Sequence, residues 1–217
     1  MSVTDVTRAL EQLDEIHTRL ARTEVYRGWR SLPVALSGVV GLGAAAWQSA
    51  SHGAAIEPRA WVTYWLVVAM LAFAVGCAGI VWRYLREETG SERRRTQQVL
   101  TQFVPALVAA ACITVGLLRV NPALAWRLPG VWSLLFGVGI FSARPYLPMA
   151  SAVVSAYYAA AGIALLWAPA AGGLQPGGLP PWFAWTVGGV FGAGQSMAAA
   201  ILYWSLERTS PKDALNE

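Results

Sequence analysis

The residues of this chain that are most capable of chemistry are few, and most of them lie outside its apolar stretches. Catalysis inside a membrane protein uses polar groups held between the helices, and these groups are usually ionisable. The long apolar stretches of this sequence contain no His, Asp, Glu or Lys, and the two histidines, His17 and His52, stand outside them. We therefore predict no catalytic residue, and an enzyme is the least supported class of protein.

Metal and cofactor sites are equally unsupported by the sequence. No set of His, Cys, Asp and Glu has the spacing of metal ligands, and the apolar stretches lack a histidine that could ligate haem. His52 and Glu57 could form a weak metal site, but a solvated loop is the preferred interpretation. Cys77 and Cys112 lie within apolar stretches, where thiols usually behave as small hydrophobes. We expect neither a metal nor a cofactor.

Neutral polar side chains and one arginine remain as candidates for binding. Gln195 lies in the middle of an apolar stretch, where its amide needs a hydrogen-bond partner. A bond to a neighbouring helix is the leading interpretation, and contact with a ligand is the second. Arg144 fits either an interfacial arginine at a hairpin tip or a contact with an anion or lipid headgroup. The candidate ligand-binding residues are Gln195, Ser196, Arg144 and Tyr158.

The elements that carry these residues follow from the composition of the chain. Hydrophobic residues make up 56% and charged residues 13% of the 217 residues, whereas soluble domains have about 25% charged residues. Uncharged stretches run from Arg30 to Glu57, from Arg59 to Arg83, from Arg95 to Arg119 and from Arg144 to Glu207. Each is long enough for a helix that crosses a membrane. The predicted fold class is an all-α polytopic membrane protein.

We predict six transmembrane helices in one bundle that occupies residues 30–206. Their expected ranges are about 32–49, 61–82, 99–118, 128–143, 147–167 and 182–204. The fourth is the shortest, because Arg127 and Arg144 leave room for only about 24 Å of helix between them. Residues 83–98 are expected to form a charged connector that breaks at Gly90, and residues 119–130 a surface loop or a short interfacial helix. Residues 207–217 are predicted to be a polar cytoplasmic tail.

The distribution of basic residues predicts the orientation of the bundle. With the N-terminus inside the cell, only Arg59, Arg119 and Arg127 of the 16 Lys and Arg residues fall on the outer side. Such a bias places both termini in the cytoplasm, with the protein in the cytoplasmic (inner) membrane. All 11 tryptophans lie near predicted helix ends, as expected for side chains that prefer the membrane interface.

The last apolar stretch carries a regular series of small residues. A small side chain at every fourth position lets a second helix approach closely, which favours association of helices in lipid. We expect another helix to pack against this face, which is formed by Gly188, Gly192, Ser196 and Ala200.

Residues 1–29 have the pattern of a cytoplasmic amphipathic helix. Apolar residues recur at intervals of three and four, and acids and bases occupy the other positions. We expect no signal peptide, because this segment has no apolar core. The helix lies on the membrane or on the protein itself, or it forms a short coiled coil with a partner. Its candidate partner-binding residues are Leu10, Leu13, His17 and Leu20.

Two hypotheses of function follow. The first is a non-enzymatic accessory or scaffold subunit, or a membrane tether for a cytoplasmic partner that binds the N-terminal helix. The second is a carrier or binding protein for a small neutral or lipophilic molecule, without coupling to protons or sodium through a carboxylate. The expected partners are membrane lipids and a cytoplasmic or membrane protein, a homo-oligomer is left open, and no nucleic acid is expected.

Overall fold

The structure is a computed structural model that describes residues 30–51, 56–86, 90–168 and 178–208. The predicted N-terminal helix at residues 1–29 and residues 209–217 of the predicted tail therefore lie outside the described residues. The described part of the chain folds into α1 (Ser31–Ser51), α2 (Pro58–Arg86), α3 (Gly90–Val120), α4 (Leu128–Ser142), α5 (Ser151–Trp167) and α6 (Trp185–Leu202). Short 3-10 helices cover Pro122–Arg127, Arg144–Tyr146 and Pro181–Ala184, and a π-helical turn covers Tyr203–Glu207. The prediction of an all-helical chain is confirmed for this part.

Within the described residues, four helical segments are long and apolar enough to cross a membrane. They are Ser31–Ser51, Pro58–Gly76, Thr101–Val120 and Pro122–Ser142. The two remaining α-helices are shorter, with 17 residues in α5 and 18 in α6, against about 20 for a typical span. The findings thus support a helical membrane protein with at least four apolar helices of spanning length.

The fourth apolar segment differs from the prediction because it begins before Arg127. The Asn121 side chain accepts a hydrogen bond of 3.0 Å from the Ala123 N–H, and Pro122 occupies the first helical position. Both features favour the start of a helix. The resulting 3-10 helix leads directly into α4, so the helical segment has 21 residues and the arginines do not limit its length. Of the two alternatives for residues 119–130, the short helix is the one observed.

Three further helix boundaries differ from those expected from sequence. The charged connector is helical on both sides, because α2 continues to Arg86 and α3 begins at Gly90; only residues 87–89 are outside the described part. Arg, Glu and Gln are good helix formers, so charge does not end a helix that leaves the membrane. In contrast, α5 begins at Ser151 and not at 147, since Leu147 after the Arg144–Tyr146 turn is extended.

Two pairs of helices pack most closely, and glycines lie at both contacts. α1 packs most extensively against α6, and α4 against α5. At the second contact, a Cβ atom built on Gly162 would lie 2.8 Å from the Gly130 carbonyl oxygen and 2.7 Å from the Leu134 nitrogen. A Cβ atom built on Gly137 would lie 3.0 Å from the Ser155 carbonyl oxygen. The backbones of α4 and α5 are therefore in direct contact along an antiparallel pair.

The buried side chains form two clusters, one at each end of the bundle. The first joins the end of α1, the starts of α2 and α6 and the 3-10 helix before α4, and it contains Trp61, Trp65, Leu128 and Phe183. Trp61 and Trp65 are only 1% and 2% exposed, so these two tryptophans near the start of α2 are packed inside the protein. The second cluster is built around Tyr158, Ile140 and Leu147.

Candidate functional site

Two adjacent tyrosines of α5 form the main polar contact with α6. The Tyr157 hydroxyl donates to the Val190 carbonyl oxygen at 3.0 Å, and the Tyr158 hydroxyl donates to the Phe191 carbonyl oxygen at 3.2 Å. Tyr158 is completely buried. Its ring lies against Gly194, where a Cβ atom would overlap the ring. A residue with a side chain at 194 would therefore displace the tyrosine.

Gln195 lies beside this contact. Gln195 follows Gly194 in α6, and a Cβ atom built on Gly38 of α1 would lie 3.0 Å from the Gln195 Cβ. Gln195 thus stands where α1, α5 and α6 meet. The position fits the interpretation of a hydrogen bond between helices.

Aromatic rings surround the tyrosines and fill the space between the helices. The Phe136 ring of α4 lies 4.8 Å from the Tyr158 ring and 5.4 Å from the Phe191 ring, measured between centroids. Tyr158 and Phe191 are 5.3 Å apart. Edge-to-face rings at these distances attract one another. We call this group, formed by Phe136, Tyr157, Tyr158 and Phe191, the aromatic seam.

The other two candidate ligand-binding residues are not part of the seam. Ser196 is exposed, and its hydroxyl donates to the Gly192 carbonyl oxygen of its own helix at 2.8 Å. Arg144 is exposed in the turn between α4 and α5. The structure therefore brings Tyr158 and Gln195 together, and it places Ser196 and Arg144 elsewhere.

The small-residue face of α6 meets α1 through its two glycines. A Cβ atom on Gly188 would overlap the Gly41 carbonyl oxygen and lie 2.5 Å from the Ala45 Cβ, and one on Gly192 would lie 2.6 Å from Leu42 Cδ2. Ser196 is exposed and Ala200 is half-buried. The close contact is centred on the N-terminal half of the predicted face.

Besides the bond from the Tyr64 hydroxyl of α2 to the Ala44 carbonyl oxygen of α1 at 2.8 Å, three hydrogen bonds between helices were not evident from the sequence. Two of them join a tryptophan to a polar side chain: Trp65 Nε1 donates to Gln48 Oε1 at 3.0 Å, and Trp132 Nε1 donates to Thr114 Oγ1 at 2.8 Å. In the third, the buried Ser155 hydroxyl donates to the Gly137 carbonyl oxygen at 2.8 Å. The residue types gave a signal, since a buried indole N–H needs an acceptor, but the partner depends on which helices meet.

Arg127, which lies near the first cluster, donates a hydrogen bond to the C-terminal end of α5. Arg127 Nη1 donates to the Leu166 carbonyl oxygen at 3.2 Å, and its guanidinium carbon lies 4.4 Å from the centroid of the Trp126 ring. The last carbonyl groups of a helix lack partners in the helix, and a cation there interacts favourably with the helix dipole. Arg127 therefore stabilises a helix end.

Apart from the Arg127 contact, these contacts use neutral groups whose hydrogen bonds join one helix to another. Within the described residues, no group of three or more His, Cys, Asp or Glu side chains lies close enough to hold a metal ion. The candidate partner-binding residues Leu10, Leu13, His17 and Leu20 fall outside the described part. The arrangement around Tyr158 is suited to holding helices in register.

We expect Gln195→Leu to lower the stability of the bundle, because it removes an amide that lies where α1, α5 and α6 meet. A hydrogen bond between membrane helices contributes about 0.6–2 kcal/mol, and thermal unfolding in detergent would measure the loss. Ser196→Ala is the matched control, since the Ser196 hydroxyl bonds only to its own helix backbone among the described contacts and its removal should change little. Equal unfolding temperatures for Gln195→Leu and Ser196→Ala would contradict the role given to Gln195.

Comparison of the chain with protein families, with curated proteins and with solved structures found no match.

Proposed function

We propose that the protein is a non-enzymatic integral membrane protein that acts as a scaffold subunit or as a tether for a cytoplasmic partner. The proposal rests on one observation: polar side chains in the bundle form hydrogen bonds from one helix to another. The hydroxyls of Tyr157, Tyr158 and Ser155 and the indole N–H of Trp65 and Trp132 all donate to a neighbouring helix. Polar groups that donate to a neighbouring helix stabilise the packing of the helices, as expected for a scaffold.

In the proposed topology all six α-helices cross the membrane and both termini are cytoplasmic. The arrangement of helix ends supports this, because the first cluster collects the end of α1 and the starts of α2, α4 and α6 at one side. The distribution of Lys and Arg assigns that side to the exterior. The exposed apolar side chains of α2 and α3, such as Val67, Phe73 and Val108, then face lipid or a membrane partner.

The long helices α2 and α3 support a docking role on the opposite side. α3 has 31 residues and is about 46 Å long, which exceeds a hydrocarbon core of about 30 Å. Its apolar segment begins at Thr101, so the helix from Gly90 to that point continues beyond it. Residues 83–95 are rich in arginine, and basic segments next to a membrane attract acidic partners or anionic lipids. This helical extension emerges on the side where residues 1–29 join α1.

The carrier hypothesis has one observation in its favour. Ser133 and Ser151 have buried hydroxyls without a hydrogen-bond partner in the described part of the chain, and such groups can contact a ligand. Ser133, however, lies between Gly130 and Gly137 along α4, where the backbones of α4 and α5 touch. That close contact leaves little room for a ligand and favours the scaffold.

We expect deletion of residues 1–22 to leave the bundle folded and inserted but to abolish recruitment of the cytoplasmic partner. The described helices pack through their own glycines, whereas the predicted N-terminal helix has an apolar stripe that no transmembrane helix requires. Purification of full-length and truncated protein in mild detergent, followed by mass spectrometry of co-purifying proteins, would measure recruitment.

A matched control is the full-length protein with Leu10, Leu13 and Leu20 changed to Ser, which keeps the length and charge of the segment. Both the truncated and the substituted protein should lose the same partner and keep the unfolding temperature of the bundle. A partner that binds the truncated protein as well as the full chain would contradict the tether role.

A further inference from the structure

Among the described residues, the exposed tryptophan and tyrosine side chains lie at two levels of the bundle. One set lies at the end that holds the first cluster, on α1, α5 and the start of α6, and its members are between 44% and 85% exposed: Trp47, Trp167, Trp182 and Trp185. The other set directly follows α6 and consists of Tyr203 and Trp204, which are 49% and 59% exposed. We call these sets the first aromatic row and the second aromatic row.

The distance between the rows matches the thickness of a membrane. α6 begins at Trp185 and has 18 residues, and Tyr203 comes directly after it. The two residues are therefore about 27 Å apart along the helix, and the hydrocarbon core of a bilayer is about 27–33 Å thick. Tryptophan and tyrosine prefer the membrane interface, because the ring is apolar while its N–H or O–H group needs a polar partner.

Between the rows, the outward face of α1 and α6 is apolar. The two helices run antiparallel, since Gly188 lies against Gly41 and Gln195 lies against Gly38. The exposed residues of this face are aliphatic or small and carry no charge: Leu36, Val39, Gly43 and Ala46 on α1, and Ala193 and Ser196 on α6. The Ser196 hydroxyl donates to its own helix. The face can therefore lie in hydrocarbon without leaving a polar group unsatisfied.

Exposed charged residues lie beyond both rows. Arg30 precedes α1, and Arg208 follows the second aromatic row. At the other end of the bundle, Glu57 and Arg59 are exposed at the start of α2. Along the bundle the order is charge, aromatic row, apolar face, aromatic row and charge, which is the order of polarity across a bilayer. Arginines next to a membrane also attract anionic headgroups.

α3 has none of these aromatic anchors. Its 31 residues, Gly90–Val120, include neither tryptophan nor tyrosine. The tryptophans near the start of the neighbouring α2, Trp61 and Trp65, are buried. The aromatic rows therefore mark the side of the bundle formed by α1, α5 and α6.

We propose that the outward face of α1 and α6 is the surface through which the protein binds the lipid bilayer. The two aromatic rows lie at its two interfaces, and Arg30 and Arg208 contact anionic headgroups of the cytoplasmic leaflet. α6 then crosses the membrane completely with only 18 residues. The inference rests on the proposed topology and extends it, because a face covered by lipid leaves the side of α2 and α3 for a membrane partner of the scaffold.

The depth of single spin labels tests the proposal on the full chain. The protein, with Cys77 and Cys112 changed to Ala, is placed in nanodiscs of phosphatidylcholine and phosphatidylglycerol that hold one copy each. Collision rates with oxygen, which enriches in hydrocarbon, and with a water-soluble nickel chelate give the depth of each label. The labelled positions are all exposed: Val39, Ala46, Ala193 and Ser205.

We expect the labels at Val39 and Ala193 to be the deepest and to collide often with oxygen. Ala46 and Ser205 lie at least about 10 Å further along their helices, towards opposite interfaces, so both should collide more with the nickel chelate. Equal depth at all four positions would overturn the proposal. So would a fall in oxygen collisions at Val39 and Ala193 when discs hold two copies, because a second copy would then cover the face. Either result can occur while labelling of the loops still supports six crossings, so it contradicts the lipid-binding face alone.

The role of the aromatic rows is tested with Trp185→Leu combined with Trp204→Leu, which keeps both positions apolar. The unaltered protein should have its highest unfolding temperature in lipids of intermediate chain length, since a thinner or thicker bilayer separates one row from its interface. The double substitution should reduce this preference. Phe73→Leu is the control, because Phe73 is exposed but has no polar group, and it should leave the preference unchanged. An unaltered protein without a preference, or an equal preference in the double variant, would contradict the proposal.

Discussion

Gly162→Ala should lower the stability of the bundle by about 1–3 kcal/mol, the usual cost of inserting atoms into a close-packed contact. The added methyl group would lie 2.7 Å from the Leu134 nitrogen and 2.8 Å from the Gly130 carbonyl oxygen. Both are backbone atoms, so the contact can be relieved only if α4 and α5 move apart. Thermal unfolding of the purified protein in detergent or nanodiscs would measure the loss.

Gly116→Ala is the matched control for that substitution. Gly116 lies in α3, and a Cβ atom there would meet no atom within 4 Å in the described structure beyond its chain neighbours and the backbone of its own helix. The same change should therefore be neutral or stabilise the protein by up to about 1 kcal/mol, because alanine loses less backbone entropy than glycine in a helix. If the Gly162→Ala and Gly116→Ala proteins unfold at the same temperature, the close backbone contact described between α4 and α5 is contradicted.

Gly188→Leu should have the second large effect, through the contact between α1 and α6. The first added carbon would overlap the Gly41 carbonyl oxygen and press against Ala45 and the Trp65 ring, and the rest of the leucine side chain has no space beyond them. We expect a loss of at least about 1–3 kcal/mol. The experiment also tests whether the small-residue face packs as the sequence predicts.

Substitutions at neighbouring glycines should lower the stability of the bundle by different amounts. Gly192 faces the flexible side chain of Leu42, so Gly192→Ala should cost less than Gly188→Ala, whereas Gly192→Leu should again cost about 1–3 kcal/mol. At Gly189 the nearest atoms to a Cβ belong to Trp185 at 3.7 Å or more, which is ordinary contact, and Gly189→Ala should be tolerated. The same loss at all three positions would indicate a general effect of glycine replacement and would contradict the proposed packing.

The pattern of apolar residues and charges was sufficient to predict an all-helical chain and its apolar segments. The membrane itself sets the apolar composition and the length of the uncharged stretches, because a helix that crosses it must be apolar and long enough to span the hydrocarbon core. Helix ends were predicted less well. Pro122 starts a helix where a loop was one expectation, and α3 begins at Gly90, because capping and helix propensity act outside the apolar layer, where hydropathy gives no signal.

The contacts between helices could be predicted only in part. Gly188 and Gly192 stand in a regular series on one helix, and the face that they form contacts α1. Gly130, Gly137 and Gly162 belong to two different helices, and no spacing within one segment shows that they meet. The partner of each glycine depends on which helices pack together, which is a property of the whole bundle.

The candidate site, too, could be predicted only in part from the sequence. Gln195 stood out because a lone amide in an apolar helix needs a partner. The tyrosine near it, Tyr158, lies 37 positions earlier in the chain, and Trp65 and Gln48 are joined by a hydrogen bond across 17 positions. Chemistry therefore identifies which group requires a bond, whereas only the fold identifies what supplies it.

Membrane topology is the central claim, and labelling of single cysteines tests it most directly. With Cys77 and Cys112 replaced by Ala, a membrane-impermeant maleimide should label Ser51→Cys and Val120→Cys in intact cells. It should label Gly90→Cys and Arg144→Cys only after the membrane is permeabilised. Labelling of Gly90→Cys from outside, or protection of Ser51→Cys, would contradict the six-helix bundle with cytoplasmic termini on which the proposed function depends.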